Sequence, residues 1–470
     1  MRFIDVEDAK SRTWDVVIAG TSFAAMFFAR GLSDPGSVLF IEKGRMRDHA
    51  EQVASRRVGP LESFRKDHRA AHPKIWTAHT MFGGNSNCWW GCTPRFHPDD
   101  FRLRTLHGVG TDWPLSYDEL EEAYCEVEEV MDIAGGGSDH LLPRSRPFPS
   151  PAHAPALSDL LLRAGSRDWF AQPTARSSGT RRPQCCANGV CTLCPIDSKF
   201  TILNGLDQFD RDGLHCVTGA ELRAIRTEGG TARTALVRTA DGREHEIGGQ
   251  LFALGANAIF NAAILLRSGL SNPHLGAGIH EQASQNAMVD VWQENYYGGT
   301  SITGHGYALY PGVDRGEAAA VLLENYNSPP ELRSEPGRWT HRLRVKLIAE
   351  DLPRPENRVT LADDEPSITW HGHSDYAHAG LARARAKLPG LMPFPVERIR
   401  FTELAKTEGH IQGTTRMGRT ESEGVVDRNL TTFAVRNLLA LGAGAFPTCS
   451  PANPTLTLSA LSLLAGRALS

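Results

Sequence analysis

Four cysteines within ten residues are the densest group of reactive side chains in this sequence. They are Cys185, Cys186, Cys191 and Cys194, and a proline follows the last one. In a reducing compartment such crowding favours ligation of a metal or cofactor over a disulfide framework. A Cys-Pro ending also occurs at bacterial iron–sulfur sites. We therefore expect an iron–sulfur cluster with these four as candidate ligands. Zinc is disfavoured because adjacent cysteines chelate a tetrahedral ion awkwardly, and free or disulfide-bonded thiols are the other alternative.

A strand–turn–helix–strand pattern near the start of the chain is typical of dinucleotide binding. Apolar strands are predicted at 14–19 and 37–41, with a helix at 23–32 between them. The turn that begins at Gly20 is made of small residues, which lets backbone N–H groups approach a pyrophosphate. Ser22 and Ala25 replace the second and third glycines of the usual motif, so an ordinary βαβ turn is the alternative. Glu42, placed to accept hydrogen bonds from ribose hydroxyls, favours binding.

The rest of the pattern indicates an α/β protein with an inserted α+β portion. A hairpin is predicted over 234–247, a buried strand at 250–255 and a helix ending at Leu266. Further strands are expected near 304–309 and 341–348, whereas 51–72 reads as a loop or lid. Proline-rich and polar stretches at 143–155 and 172–184 mark domain crossings.

Length and charge limit the classes of function. The 470 residues exceed one ordinary core and suggest two domains. A net charge of −4 gives no electrostatic reason to expect binding to nucleic acid or to an anionic membrane. Residues 1–10 are acidic and lack the apolar region of a signal peptide, and no apolar run is long enough to span a bilayer. We therefore expect no direct membrane span and a cytoplasmic location.

Eight further segments resemble the glucose–methanol–choline (GMC) oxidoreductase family. They occur in the family's order over most of the chain, which is far more specific than any single match. The segments are GGNSNCWW (83–90), TPRFHPDDF (93–101), DWP (112–114), ENRVTL (356–361), HIQGTTRMG (410–418), VD (426–427), FPT (446–448) and NPTLT (453–457). The pattern is most similar to pyranose oxidases and to the catalytic subunits of bacterial FAD-dependent sugar dehydrogenases.

This resemblance implies an α/β fold with a Rossmann-like FAD-binding domain and an inserted α+β substrate domain built on an antiparallel sheet. The expected discontinuous FAD domain covers 1–125, 205–284 and 400–470. The substrate domain is expected to cover 126–204, with the cysteine loop 185–194, and 285–399.

The resemblance also assigns FAD-binding positions. These are spread over the dinucleotide turn, the glycine-rich loop and the C-terminal segments. The predicted residues are Gly20, Thr21, Ser22, Ala25, Glu42, Lys43, Gly83, Gly84, Asn87, Cys88, Val217, Gly255, Gly444, Ala445, Asn453, Pro454 and Thr455. Several relatives carry, at the Cys88 position, a histidine bonded covalently to the flavin. Here a buried, inert cysteine is expected, and covalent attachment stays open.

Two residues are predicted to perform the chemistry. Transfer of hydride from an alcohol carbon to flavin N5 requires a base for the hydroxyl proton, and histidine has a suitable pKa. In the family these roles fall to a histidine before Gly-Thr and to an asparagine or histidine near the C-terminus, here His410 and Asn453. Alone, a histidine in a glycine-rich loop is more often structural, and Asn-Pro usually marks a turn. Their occurrence together inside ordered motifs favours catalysis.

The related sugar dehydrogenases hold a three-iron cluster in a loop that resembles 184–196. Their last two cysteines lie one position further apart, so the cluster type (3Fe-4S or 4Fe-4S) stays open, as does the choice between Cys185 and Cys186 as ligand. A cluster would pass single electrons to an external acceptor, either a protein or a quinone. Those catalytic subunits carry no signal of their own and are exported folded with a signal-bearing partner, which makes the periplasm the alternative location.

The expected function is FAD-dependent oxidation of a CH–OH group in a small polar alcohol. Sugars, glycosides, amino sugars and polyols all fit. The alternatives are an oxidase of the same fold that uses O₂ without a cluster, a flavin-dependent lyase, and a flavin-binding protein without catalysis.

Overall fold

The structure is a computed structural model that describes residues 1–62, 64–70, 72–136, 141–189, 191–295, 300–327, 335 and 337–469. All the predicted site residues lie in these ranges. Within them, no helix has the length and apolar character needed to cross a membrane.

In the described part, the helices and strands alternate over most of the chain. The α-helices are α1 (Val6–Lys10), α2 (Phe23–Gly31), α3 (His49–Ser55), α4 (Leu103–His107), α5 (Tyr117–Met131), α6 (Leu157–Gly165), α7 (Ala258–Arg267), α8 (Asp375–Leu391) and α9 (Thr455–Arg467). The strands are β1 (Arg2–Phe3), β2 (Trp14–Ala19), β3 (Val38–Glu42), β4 (Arg65–His68), β5 (Ala134–Gly135), β6 (Ser150–Pro151), β7 (Trp169–Ala171), β8 (Leu214–Thr218), β9 (Ala220–Glu228), β10 (Thr231–Thr239), β11 (Glu244–Leu254), β12 (Ala283–Val291), β13 (Ile302–Gly306), β14 (Val321–Tyr326), β15 (Arg342–Ala349), β16 (Arg358–Ala362), β17 (Glu365–Trp370), β18 (Val396–Leu404) and β19 (Leu438–Ala440).

The first large sheet has the order β1-β8-β3-β2-β11-β10-β9, with β19 also paired to β11. Its centre is parallel, and the β9–β10–β11 meander is antiparallel. Strands β2 and β3 are almost wholly apolar and buried, as strands covered on both faces must be.

Helices α2 and α9 pack against each other beside this sheet. A Cβ added at Gly31 would lie 2.3 Å from the carbonyl oxygen of Leu463, and one at Gly466 would lie 2.3 Å from that of Phe28. The two helices therefore approach to a separation that only glycine permits on both sides.

The second large sheet is antiparallel at every pairing, in the order β18-β12-β15-β14-β13-β7. Along β15, Val345 and Leu347 join the buried core that includes Leu381 of α8. Since side chains alternate along a strand, Arg344 and Lys346 face the opposite side. That side is turned towards the cavity described below.

The structure confirms the predicted fold class, a Rossmann-like unit with an antiparallel substrate sheet. Strand β2 spans 14–19 as predicted, and α2 ends one residue before the predicted boundary. The interpretation of 51–72 as a loop was wrong. It contains part of α3, which Asp48 caps by accepting a hydrogen bond from the backbone of Glu51, and β4, which pairs with β17. The domain bounds stay a prediction, although β18 runs across the expected boundary at residue 400.

Candidate active site

A cavity of about 650 Å³ has walls that come from both large sheets. One part is lined by the dinucleotide turn and the end of β3. Another part is lined by β14, β15 and the segment Thr407–Ile411, and the start of α9 closes a further side. One space thus connects the predicted nucleotide site with the predicted catalytic residues.

The dinucleotide turn is held by side-chain and backbone contacts specific to this conformation. Gly20 has φ +84°, and an added Cβ would lie 2.9 Å from the carbonyl oxygen of Gly255, so a side chain is excluded twice. The Thr21 hydroxyl donates to Glu42 Oε2 at 2.7 Å and accepts from the N–H of Gly83 at 2.8 Å. The Thr21 hydroxyl therefore links the dinucleotide turn, the end of β3 and the glycine-rich loop at one buried point.

Glu42 ends β3 on the cavity wall. Burial raises the pKa of its carboxyl to about 7, while hydrogen bonds from Gly44 N and Thr21 oppose that rise. Nearby, the Ser22 N-cap of α2 makes no side-chain capping bond, so N–H groups of the first helical turn stay available to an anion. A carboxylate for ribose hydroxyls and a helix N-terminus for pyrophosphate are the groups that a dinucleotide such as FAD requires.

The seventeen predicted cofactor-binding residues divide into two sets. Eleven line the cavity, and six do not. The lining set is Gly20, Thr21, Ser22, Glu42, Lys43, Gly84, Cys88, Gly255, Asn453, Pro454 and Thr455. The residues outside the lining are Ala25, Gly83, Asn87, Val217, Gly444 and Ala445. Two of these six have a supporting role: Ala25 packs where a Cβ on Gly255 would lie, and Asn87 donates to the Phe82 and Gly84 carbonyls.

His410 is held in the cavity wall by the buried carboxylate of Glu281. Glu281 Oε2 accepts hydrogen bonds from the backbone N–H groups of His410 at 3.0 Å and Glu408 at 3.2 Å. Its other oxygen pairs with Lys74 Nζ at 2.5 Å. Burial alone would raise the pKa of Glu281, but the charge of Lys74 holds that pKa below its ordinary value. The Glu281 carboxylate therefore stays ionised and fixes the backbone of the histidine segment.

Gln282 determines which nitrogen of His410 carries the proton. Its Nε2 donates to the carbonyl oxygens of Ser450 and Ala452 at 2.9 and 3.0 Å. Its Oε1, which only accepts, therefore faces His410 Nδ1 at 3.0 Å. Nδ1 must be the protonated nitrogen of the neutral ring, which leaves a lone pair on Nε2. Burial lowers the pKa of His410 below the ordinary value of 6.5, so the neutral form persists into mildly acidic solution.

Asn453 lines the same cavity and is 8% exposed. Its Oδ1 is buried without a hydrogen-bond partner in the described part of the chain. Such an atom is costly unless a ligand or water satisfies it. The preceding residues, Ser450 and Ala452, are the ones that Gln282 holds, so a single side chain positions both predicted catalytic residues.

The substrate side of the cavity is polar and partly aromatic. Lys346 pairs with Glu408, whose charge raises the pKa of the lysine above its ordinary value despite burial. Glu324 Oε1 accepts from His305 Nε2 at 3.1 Å. Trp90 and Tyr326 lie edge to face with ring centroids 6.1 Å apart. This combination of charged groups and aromatic faces suits a polyhydroxylated ligand.

The cysteine loop does not form the expected metal site. Among the described residues, no three His, Cys, Asp or Glu side chains are grouped so that they could hold a metal ion. Cys191 is buried, but Cys186 is exposed, and all nine cysteines are free. Ala187 and Gly189, both in the left-handed region, turn the chain between the two cysteine pairs. An iron–sulfur cluster is therefore not supported. The prediction failed because the spacing of cysteines along the chain does not show where their sulfur atoms point.

Each of the other three thiols has its own polar neighbour. Cys185 Sγ lies 3.5 Å from the Thr300 hydroxyl, Cys191 Sγ lies 3.0 Å from the Ser301 hydroxyl, and Cys194 Sγ accepts from Ser198 N at 3.3 Å. Cys88 is on the cavity wall, where burial raises the pKa of its thiol. A raised pKa keeps more of the group as the neutral thiol, which is less nucleophilic than the thiolate.

Sequence reasoning missed Gln282, Glu281 and the charged residues of the substrate wall. Gln282 carries no local motif, and its role depends on contacts with residues 128 and 168 positions away. A weak signal was present for β15, where basic residues alternate with apolar ones from Arg342 to Leu347. That pattern indicates a strand with one basic face, but not what the face contacts.

Comparisons with known proteins agree with this geometry. Residues 353–462 match the family model described as GMC oxidoreductase. The fructose dehydrogenase large subunit of Gluconobacter japonicus is 26% identical, covering 97% of each chain. The 6'''-hydroxyparomomycin C oxidase of Streptomyces lividus is also 26% identical, over 97% of this chain and 91% of its own. The solved structure of pyridoxine 4-oxidase from Mesorbium loti shares the fold, with a TM-score of 0.69 at 17% identity, over 97% of this chain and 99% of its own. The C-terminal part of the chain therefore resembles the GMC oxidoreductases, and relatives named as oxidases and dehydrogenases match over nearly its whole length. The chain is an oxidoreductase that acts on CH–OH groups.

Proposed function

We propose that this enzyme oxidises a hydroxyl group of a sugar or glycoside to the carbonyl, with FAD as cofactor and His410 as base. Two relatives whose names refer to sugar or aminoglycoside substrates match over nearly the whole chain, which supports the substrate class. The observation that carries the catalytic part is the Gln282–His410 contact, because it leaves a histidine lone pair on the wall of the cavity.

The family implies FAD, and the groups around the dinucleotide turn fit it. Bound there, FAD supplies the hydride acceptor. Glu42 and the N-terminus of α2 hold the nucleotide part, and no catalytic proton transfer is assigned to them.

The hydroxyl proton of the substrate passes to His410 Nε2. The Nδ1–H group stays bonded to Gln282 Oε1, so the imidazolium that forms keeps its orientation. Asn453 lines the same cavity, and its unsatisfied Oδ1 accepts a hydrogen bond from a second hydroxyl of the substrate. Lys346 and Glu408 form an ion pair in the same wall and offer hydrogen bonds to neighbouring hydroxyls.

The electron acceptor forms a second part of the proposal. We infer transfer to an external one-electron acceptor, a protein or quinone, and one relative is named as a large subunit, which fits a partner. A charge feature favours an anionic group near the cysteine loop. Arg176 and Lys199 are buried, and within the described part of the chain they contact carbonyl oxygens, neutral side chains and a thiol but no carboxylate. The cysteines do not converge as placed, so no step is routed through a cluster.

The substrate class is tested by anaerobic mixing of the purified holoprotein with sugars, glycosides, amino sugars and polyols. Bleaching of the flavin by a sugar or glycoside is expected. If simple polyols react as fast as every sugar, the assigned substrate class is wrong. Cleavage of the substrate without flavin reduction would indicate a lyase instead.

The acceptor is tested by comparing consumption of O₂ with reduction of ferricyanide, together with iron and sulfide analysis. Since no step is routed through a cluster, replacing Cys191 and Cys194 by serine should leave both anaerobic flavin reduction and ferricyanide reduction unchanged. Loss of iron together with slower ferricyanide reduction would instead place a cluster on the electron path. Cys216→Ser, at a buried cysteine of β8, is the matched control. Fast turnover with O₂ in an iron-free protein would make the enzyme an oxidase.

We propose a cytoplasmic location, since residence there requires no exporting partner. Fractionation of native cells tests this, and recovery in the periplasm with a small co-purifying protein would contradict it.

A further inference from the structure

Arg344 presents an unpaired guanidinium to the substrate side of the cavity. Its Nε donates to Asn286 Oδ1 at 2.9 Å, and its guanidinium carbon lies 4.1 Å from the centre of the Tyr326 ring. These two contacts fix the plane of the group. The terminal nitrogens make no hydrogen bond to the described part of the chain, and Arg344 is among the residues that line the cavity.

The other arginines of the same sheet are different. Arg342 pairs with Asp290 and Glu335, Arg398 pairs with Asp290 at 2.8 Å, and Arg400 pairs with Glu335 at 3.1 Å. No carboxylate of the described chain lies within ion-pair distance of Arg344.

The two carboxylates on the substrate side of the cavity wall are already engaged. Glu408 is paired with Lys346, and Glu324 accepts from His305. Lys346, the neighbouring cation on β15, therefore has its counter-charge, whereas Arg344 has none among the described residues. A guanidinium held in place with free donors is suited to bind an anion in a bidentate manner.

We propose that Arg344 binds an anionic group of the substrate, so that the preferred substrate is an acidic sugar bearing a carboxylate or a phosphate ester. This rests on the proposed sugar oxidation. The position of the charge follows from β15. Lys346 pairs with Glu408, two residues before His410 on the same cavity wall, and Arg344 lies two residues from Lys346, about 7 Å along the strand. The anionic group therefore lies at the far end of the sugar from the carbon that loses hydride.

The test compares matched neutral and acidic sugars on the holoenzyme. Anaerobic flavin reduction is measured with D-glucose, D-glucuronate, D-gluconate and glucose 6-phosphate. The variants are Arg344→Gln and Arg344→Lys, with Arg398→Gln as control, because Arg398 belongs to the same sheet but does not line the cavity. FAD content and melting temperature are checked for each. Isothermal titration calorimetry with D-gluconate and with inorganic phosphate measures anion binding separately.

We expect the best acidic sugar to exceed glucose at least tenfold in the second-order rate constant of anaerobic flavin reduction. Arg344→Gln should lower this ratio tenfold or more, Arg344→Lys should lower it less, and Arg398→Gln should leave it unchanged. Preference among the three acids distinguishes a carboxylate from a phosphate ester.

Each contrary result has a distinct meaning. If glucose reacts as well as every acid, or if Arg344→Gln leaves the ratio and anion binding unchanged, the subsite is disproved while the proposed function stands. If no sugar reduces the flavin although anions bind in an Arg344-dependent way, sugar oxidation is wrong and the anion subsite stands. If neither occurs, both proposals fail.

Discussion

The nucleotide end and the substrate end of the cavity are built in different ways. The nucleotide end is formed by backbone of one β–turn–α–β unit and by a carboxylate 22 residues from Gly20, so its signature is contiguous in sequence. The substrate end is formed by side chains from β14, β15, the histidine segment and the start of α9. Contacts made by the backbone of one contiguous unit produce a recognisable sequence motif, whereas contacts between side chains that are distant in sequence do not.

The largest expected effect is at the substrate end. His410→Ala should slow anaerobic flavin reduction at least about 100-fold, the usual contribution of a general base. Bound FAD per protein should stay unchanged, because the nucleotide end does not include His410. Stopped-flow bleaching checks the rate, with His274→Ala, outside the cavity wall, as control. An unchanged rate would show that both ends serve binding alone.

The extent to which the sequence predicted the molecule follows the same division. The unit from Trp14 to Glu42 was predicted from residue types alone, and His410 and Asn453 were identified only through family resemblance. Gln282 and Arg344 were missed, because their roles depend on how β12 and β15 align with segments far along the chain. The cysteine loop illustrates the opposite error: close spacing suggested a metal site, but Cys186 is exposed while Cys191 is buried.

The next largest effect should come from Gln282. In the wild type, burial keeps the pKa of His410 below 6.5, so the rate of flavin reduction should fall with acid only below that pH. Gln282→Glu places a carboxylate at Nδ1, which favours the imidazolium and should move this decline to higher pH. Gln282→Leu should lower the rate roughly tenfold by releasing the ring. A pH profile of the reduction rate that is identical in all three proteins would mean that Gln282 is only structural.

At the nucleotide end, Glu42→Gln should weaken FAD retention roughly tenfold, the cost of about one charged hydrogen bond. Flavin reduction per bound FAD should be unchanged. Gel filtration followed by flavin quantification provides the measurement, and Asp15→Asn, a carboxylate outside the cavity wall, is the control.

The apoprotein adds a check on the sign of the Glu42 effect. Burial raises the pKa of Glu42 to about 7, above its unfolded value near 4.5, so the stabilisation it gives is complete below pH 4.5 and is lost as the pH rises through 7. Glu42→Gln should remove that loss, and urea unfolding of the apoprotein across this range measures it. An equally steep loss in the variant would assign it to other groups.

The smallest effect is expected at Ala25, which stands where a third glycine would be. Ala25→Gly should cost about 1 kcal/mol of folding stability, as glycine does within a helix, with FAD retention nearly unchanged. Gly255→Ala should be far more harmful, since its Cβ would lie 2.8 Å from that of Ala25 and 3.1 Å from the carbonyl oxygen of Ala19. Thermal unfolding of both variants measures the difference, and equal losses would show that this approach is not tight.

The close packing of α2 on α9 has a consequence for biosynthesis. The N-termini of both helices border the cavity, and the glycine contacts at Gly31 and Gly466 join the early helix to one synthesised more than 400 residues later. The first nucleotide-binding turn therefore leaves the ribosome long before its partner exists. Cofactor loading must wait until α9 has been translated and docked, so a nascent chain stalled before Thr455 should emerge without flavin.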